Sequence, residues 1–140
     1  MKLVVVTGCL GLIGNYVTRK CLSLGWKVYG IDKITYAANK WALEEFLENE
    51  DFTFVNKDIC DIKYLPDCDY LINIAAESHV ENSITNSSQF IKTNIVGVQN
   101  LLNLIKDKHD NVFKRPVFFT LALMKFMEIL NQVLIANRTF

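Results

Sequence analysis

The sequence predicts an α/β fold, a doubly wound parallel sheet with helices on its faces. Three observations predict it. Short β-branched runs alternate along the chain with stretches whose apolar residues recur at helical spacing. A glycine-rich turn joins the first run to the first helical stretch. A chain of 140 residues with 51% hydrophobic content is long enough for one buried core and too short for two.

The elements follow in order. Lys2 to Thr7 (KLVVVT) is continuous and β-branched, the pattern of a parallel strand buried on both faces. Gly8 to Gly14 is the turn, and Asn15 to Leu24 is a helix on the spacing of Tyr16, Val17, Cys21 and Leu24, ended by Gly25. Lys27 to Asp32 (KVYGID) is a second strand, Asn39 to Glu48 an amphipathic helix, Phe52 to Asn56 a third strand and Asp69 to Ile74 a fourth. The short segment between Asp61 and Asp69 leaves room for a turn where a crossover helix would stand. Ser87 to Asp107 carries an apolar stripe from Phe90 to Ile105 and predicts a helix, and Pro116 to Thr120 predicts a fifth strand. Strands alternating with helices mean βαβ units with right-handed crossovers, and the expected fold is a three-layer Rossmann-like domain of strand order 3-2-1-4-5, incomplete beyond the fifth strand.

Composition narrows the function. Fifteen basic residues balance fifteen acidic ones, so the chain offers no electrostatic footprint for nucleic acid or an anionic membrane. Cys9, Cys21, Cys60 and Cys68 are scattered without metal-ligand spacing and read as reduced thiols, which places the chain in the cytoplasm; no metal is expected. The apolar run Leu3 to Val6 is too short for a leader, and Lys125 and Glu128 interrupt the C-terminal apolar stretch, so no membrane span is expected.

The turn Thr7-Gly8-Cys9-Leu10-Gly11-Leu12-Ile13-Gly14 suits a pyrophosphate. Gly8 permits the tight turn, Gly11 lets backbone approach the phosphates, and Gly14 lets the helix pack on the sheet, while the helix N-terminus supplies N–H groups and a positive dipole end. The spacing is G-x-x-G-x-x-G, and its place between strand and helix is what gives it weight. Asp32 ends the second strand roughly 20 residues on, where an acid accepts from an adenosine ribose 2′-hydroxyl and repels a 2′-phosphate. That favours NAD over NADP, with Lys33 beside it pulling the other way; an acid there also serves as a plain turn cap.

With these residues in view, the sequence resembles the extended short-chain dehydrogenase/reductase superfamily and, within it, the dTDP-glucose 4,6-dehydratases. The matching stretches are TGCLGLIG (Thr7–Gly14), GIDKITYAAN (Gly30–Asn39), FVNKDICD (Phe54–Asp61), INIAAESHVENSI (Ile72–Ile84) and FIKTNIVGVQNLL (Phe90–Leu102). The resemblance covers about residue 2 to Phe119. It implies NAD with Gly8, Gly11, Leu12, Ile13 and Gly14 at the pyrophosphate turn, Asp32, Lys33, Ile34 and Thr35 at the adenosine ribose, and Asp58 and Ile59 at the adenine. It implies Ile74, Ala75, Ala76, Glu77 and Ser78 on the nicotinamide side with Thr93, Ser78 also facing the sugar nucleotide (dTDP-glucose). It further implies a homodimer for the intact enzyme. Asn73 stands where the family often has His, and Glu81-Asn82 where it often has Asp-Arg. His79 reads as packing beside the site and His109 as a solvent-facing loop residue.

The family oxidises the glucose C4 hydroxyl with NAD, eliminates water across C5–C6 and returns hydride to C6. That needs a Tyr-x-x-x-Lys pair and an Asp-Glu pair, the latter in a Ser-Thr-Asp-Glu-Val-Tyr-Gly segment after the fifth strand. Here Thr120-Leu121-Ala122-Leu123-Met124-Lys125-Phe126-Met127-Glu128 follows instead. Tyr16/Lys20, Tyr29/Lys33 and Tyr36/Lys40 match the pair's spacing at the wrong places in the fold. Reading from the third base of each codon, Met124-Lys125 forces Glu and Met127-Glu128 forces Gly, and the other codons permit Ile-Ser-Thr-Asp-Glu-Val-Tyr-Gly-Asp-Ile. The expectation is a partial NAD-binding domain over 1–120, without a substrate lobe, and an aberrant helical tail over 121–140 read out of frame, with no catalytic residue in place. The alternatives are a non-catalytic NAD-binding module and a remnant of a related nucleotide-sugar epimerase or decarboxylase.

Overall fold

The computed structural model describes residues 1–77, 87–108 and 116–121. Five strands, β1 (Leu3–Thr7), β2 (Lys27–Asp32), β3 (Phe52–Asn56), β4 (Tyr70–Asn73) and β5 (Val117–Thr120), form one parallel sheet in the order β3-β2-β1-β4-β5. The expected order and strand count hold. β1 is central, with Leu3 opposite Lys27 on one side and Val4 opposite Tyr70 on the other.

Alternation along β1 divides the core between the two faces of the sheet. Val4 and Val6 belong to a cluster with Cys21, Ala42 and Phe46, and Val5 to a second cluster with Ile31, Ile59, Leu71 and Leu101. All three valines are fully buried, which is why the run is β-branched and unbroken.

Helix α1 (Leu12–Ser23) starts three residues earlier than the apolar spacing predicts, because Leu12, Ile13 and Gly14 belong to its first turn. It ends as expected. Gly25 takes φ +70°, its N–H reaches the Leu22 carbonyl at 2.9 Å, and the Trp26 N–H reaches that of Cys21 at 3.2 Å. Helix α2 (Lys40–Leu47) is capped by Asn39, whose side chain accepts from the Ala42 N–H at 3.1 Å.

Between β3 and β4 the chain forms turns and coil without a helix, as the segment's length predicts. The side-chain amide of Asn100 donates to the carbonyls of Ile59 (2.8 Å) and Ile62 (2.9 Å), providing partners that a helix would otherwise supply. The predicted helix over Ser87–Asp107 is in three parts: α3 (Ser87–Ile91), a π-helical segment (Lys92–Gly97) and α4 (Val98–Lys108). The π turn lies on the coil after β3. A Cβ at Gly97 would meet Ile59 Cδ1 at 2.5 Å. Ser78, His79, Glu81-Asn82, His109 and the tail from Ala122 onward lie outside the described residues. Among the described residues, no helix is long and apolar enough to cross a membrane, and no group of His, Cys, Asp and Glu is placed to hold a metal ion.

Candidate functional site

The carboxyl ends of β1 to β4 open onto a cavity of about 350 Å³. Its lining includes Gly8, Gly11, Leu12 and Ile13 from the turn, Asp32, Lys33 and Thr35 after β2, Asp58 and Ile59 after β3, Ile74 to Glu77 after β4, and Thr93 from the π segment. Residues far apart in sequence, from Gly8 to Thr93, are thus brought together at four strand ends.

The three glycines of the turn do different work. Gly8 has φ +67°, and a Cβ on it would stand 2.7 Å from the Ala75 nitrogen. Both its conformation and the close passage of the chain after β4 require glycine. Gly14 is excluded from the cavity lining and serves packing: a Cβ there would fall 1.8 Å from the Gly8 carbonyl oxygen, so α1 can seat on the turn only without a side chain. Gly11 is bound by neither demand. It has ordinary φ −69° and ψ 172°, and its Cβ would meet only the Gly8 oxygen at 3.4 Å. Gly11 lines the cavity and caps α1 without a side chain, leaving the first-turn N–H groups uncovered by any cap.

Asp32 is braced by backbone. One carboxylate oxygen accepts from the Leu10 N–H at 3.0 Å and the other from the Ile34 N–H at 2.9 Å. A carboxylate offers about four acceptor positions, so each oxygen keeps capacity for a ligand hydroxyl. The turn-cap role and the ligand role therefore coexist. Ile34 itself takes φ +51°, a left-handed conformation rare for a β-branched residue, and packs against the core cluster beneath rather than lining the cavity.

Lys33, Asp58 and Glu77 form an ionic cluster on the cavity wall. Lys33 Nζ lies 2.9 Å from Glu77 Oε1 and 3.5 Å from Asp58 Oδ2. Partial burial opposes the charge on Lys33, but the hydrogen bond and charge of Glu77 together with Asp58 outweigh it and raise its pKa. Burial likewise opposes ionisation of Asp58, and the hydrogen bonds from Cys60 together with the Lys33 charge overcome it, lowering that pKa.

The strand tips are tied by side chains. The Thr7 hydroxyl donates to Asn73 Oδ1 at 2.5 Å and accepts from the Ala75 N–H at 3.3 Å, while Asn73 Nδ2 donates to Thr120 Oγ1 at 3.1 Å. Asn94 clamps the next residues: its Oδ1 accepts from the Glu77 N–H (3.0 Å) and its Nδ2 donates to the Glu77 carbonyl (3.3 Å). Beneath the turn, burial raises the Cys9 thiol pKa far above its ordinary value, with the Asp32 charge adding to it, so that thiol is inert packing.

The structure brings together every predicted site residue within the described part except Gly14 and Ile34. It adds Ile31, Tyr36, Ala37, Ala38 and Lys57 to the lining. The three Tyr-x-x-x-Lys matches stay apart from any reacting geometry. Tyr16 is 65% exposed on α1, Tyr29 packs in a core cluster, and Tyr36 is 77% exposed on the cavity rim.

A parallel sheet in this order, with a glycine turn, a helix N-terminus and an acid around one cavity at the strand ends, defines a Rossmann nucleotide-binding domain. The model of one family of such domains, GDP-mannose 4,6 dehydratase, matches residues 5–120, and the chain belongs to that family. Among curated proteins, the dTDP-glucose 4,6-dehydratase of Haemophilus influenzae is 40% identical over 116 residues, covering 76% of this chain and 34% of the relative. Among solved structures, the dTDP-glucose 4,6-dehydratase DesIV of Streptomyces venezuelae with NAD and TYD bound is similar at TM-score 0.67 and 34% identity, over 73% of this chain and 35% of that one. The dTDP-glucose 4,6-dehydratase of Bacillus anthracis in complex with NAD gives TM-score 0.64 at 26% identity, over 77% of this chain and 34% of that one. The chain spans about a third of the length of the curated relatives it matches.

Proposed function

We propose that residues 1–120 form the NAD-binding part of a dTDP-glucose 4,6-dehydratase, and that the 140-residue chain by itself does not turn over the sugar nucleotide. Gly11 is the observation that carries the reading: neither its backbone angles nor its neighbours require glycine, yet a side chain there would enter the cavity over the α1 N-terminus. A pyrophosphate passing over uncapped N–H groups is the ligand that needs that opening. The first-turn N–H groups at Leu12 and Ile13 would hold it, with Asp32, Lys33 and Thr35 at the ribose and Asp58 and Ile59 at the adenine. Ile74 to Ser78 and Thr93 would flank the nicotinamide, with Ser78 toward the sugar. Three carboxylates against two lysines in the lining favour NAD over NADP.

When bound, NAD supplies the hydride acceptor and donor of the family's oxidation at C4 and reduction at C6. The chain's own part is to bind and orient it. The acid and base of that reaction are absent from the sequence after Phe119, and the forced Glu and Gly of the neighbouring reading frame support an out-of-frame tail over 121–140. Titration of the purified chain with NAD in a calorimeter tests the binding reading; a folded chain that takes up no NAD refutes it. Conversion of dTDP-glucose by the same preparation would refute the inactivity. Sequencing the coding DNA past codon 115 tests the tail, and a neighbouring frame that does not encode Ser-Thr-Asp-Glu-Val-Tyr-Gly rejects the frame reading.

A further inference from the structure

A site beside Asp32 admits a 2′-phosphate only if a cation is free to turn toward it. Lys33 is next in sequence to Asp32 and lines the same cavity. Its ammonium is already committed, 2.9 Å from Glu77 and 3.5 Å from Asp58. Both carboxylates are held in place from behind. Asp58 Oδ1 accepts from the Cys60 N–H at 2.9 Å, leaving Oδ2 for the lysine, and the Glu77 backbone is fixed at both its N–H and its carbonyl by Asn94. The π turn that carries Asn94 therefore anchors the backbone from which the Glu77 carboxylate extends to Lys33.

We propose that this Lys33–Glu77–Asp58 latch, seated by Asn94, determines cofactor selectivity by withholding the Lys33 ammonium from a 2′-phosphate. The acid at the end of β2 supplies repulsion, and the latch withdraws the counter-charge next to it in sequence, leaving Lys57 after β3 as the second lysine of the lining. One ammonium shared between two carboxylates leaves the wall negative, so a phosphorylated ribose meets repulsion from Asp32 and from the latch together. Releasing the lysine should reverse its effect. With Glu77 neutral, Lys33 loses its shorter ion pair and keeps only the 3.5 Å contact with Asp58, from which it can turn toward the added phosphate.

The inference rests on the NAD-binding reading above, and the test separates the two. NAD and NADP are titrated calorimetrically into the full chain and into Glu77→Gln, Asp58→Asn, Lys33→Met and the Glu77→Gln/Lys33→Met double variant, with circular dichroism melts recording folding. The wild-type chain is expected to prefer NAD, and Glu77→Gln to shift the NADP-to-NAD affinity ratio about tenfold or more toward NADP, the scale of one charge-assisted hydrogen bond. The double variant is expected to lose that shift. Asp58→Asn shifts the ratio in the same direction and stands in if Glu77→Gln fails to fold. An unchanged ratio in both single variants, a shift that survives removal of Lys33, or a wild-type chain that binds NADP as well as NAD overturns the latch while leaving the NAD site standing. A folded wild-type chain that binds neither nucleotide overturns both.

Discussion

Substituting the turn glycines one at a time separates packing from ligand binding. Gly11→Ala places a methyl group where the protein presents only the Gly8 oxygen, at 3.4 Å, with backbone angles that any residue adopts. Alanine is a poorer helix N-cap than glycine by up to about 1 kcal/mol, and reduced freedom of the unfolded chain returns about 0.4–1 kcal/mol. Folding stability is therefore expected within about 1 kcal/mol of wild type. The same methyl intrudes on the path of the pyrophosphate, and overpacking a fitted site costs about 1–3 kcal/mol, a loss of about fivefold to 150-fold in NAD affinity. Gly14→Ala should behave in the opposite way. Its Cβ would collide with backbone at 1.8 Å, so α1 must lift from the turn, at more than about 3 kcal/mol. Urea unfolding and NAD calorimetry on both variants read the two quantities. Wild-type affinity in Gly11→Ala, or wild-type stability in Gly14→Ala, would refute the assignment of roles.

Two further outcomes follow from buried side chains. Thr7→Val removes a hydroxyl that serves both Asn73 Oδ1 and the Ala75 N–H, and is expected to destabilise by about 2 kcal/mol or more; Thr18→Val removes a fully buried hydroxyl that has no hydrogen-bond partner among the described residues and is expected to stabilise by about 1 kcal/mol. Urea unfolding of the two variants checks this, and shifts of the same sign would contradict it. The latch also predicts a pH window. The Asp58 pKa is depressed, so its contribution is present above the ordinary 3.8 and lost as pH falls through the folded value; the Lys33 pKa is raised, so its contribution is present below the ordinary 10.5 and lost as pH rises through the folded value. The stability difference between wild type and Lys33→Met should be level between those limits and shrink on both sides, and a difference that varies with pH around neutrality would contradict the latch.

The sheet was legible because burial writes directly into composition. β3 falls on Phe52–Asn56 as its residues predict, and β2 on Lys27–Asp32. The start of α1 was not legible, because Leu12-Ile13-Gly14 looks like turn in composition and only the seating of Gly14 on Gly8 makes it helix. The π turn was hidden for a different reason. The apolar stripe from Phe90 to Ile105 reports which side is buried and says little about an extra residue per turn, so Asn94 gave no signal beyond its presence in a matched stretch. Ile34 shows what a motif match leaves out. The resemblance implies it at the ribose, whereas the turn closed by Asp32 gives it φ +51° and packs its half-buried side chain against the core cluster. Lys57, Tyr36, Ala37 and Ala38 reach the cavity through loop conformation, which no periodicity encodes.

On the proposed function, binding and chemistry are separated along the family's sequence pattern. Every described group of the cavity comes from β1 to β4 and the segments that follow them, the first turn of α1 included, or from the π turn; among the described residues β5 reaches the site through Thr120, by its bond to Asn73. A nucleotide cavity can therefore form before any residue past β5 is specified. The family resemblance places the acid, the base and the Tyr-x-x-x-Lys pair of the reaction beyond that point, where this sequence departs from the pattern. Asn73 shows how the described part closes without them. Its amide meets a donor in Thr7 and an acceptor in Thr120, so a buried polar side chain at the end of β4 is satisfied from its two neighbouring strands. Retention of NAD binding with loss of turnover is the behaviour that this division of labour predicts.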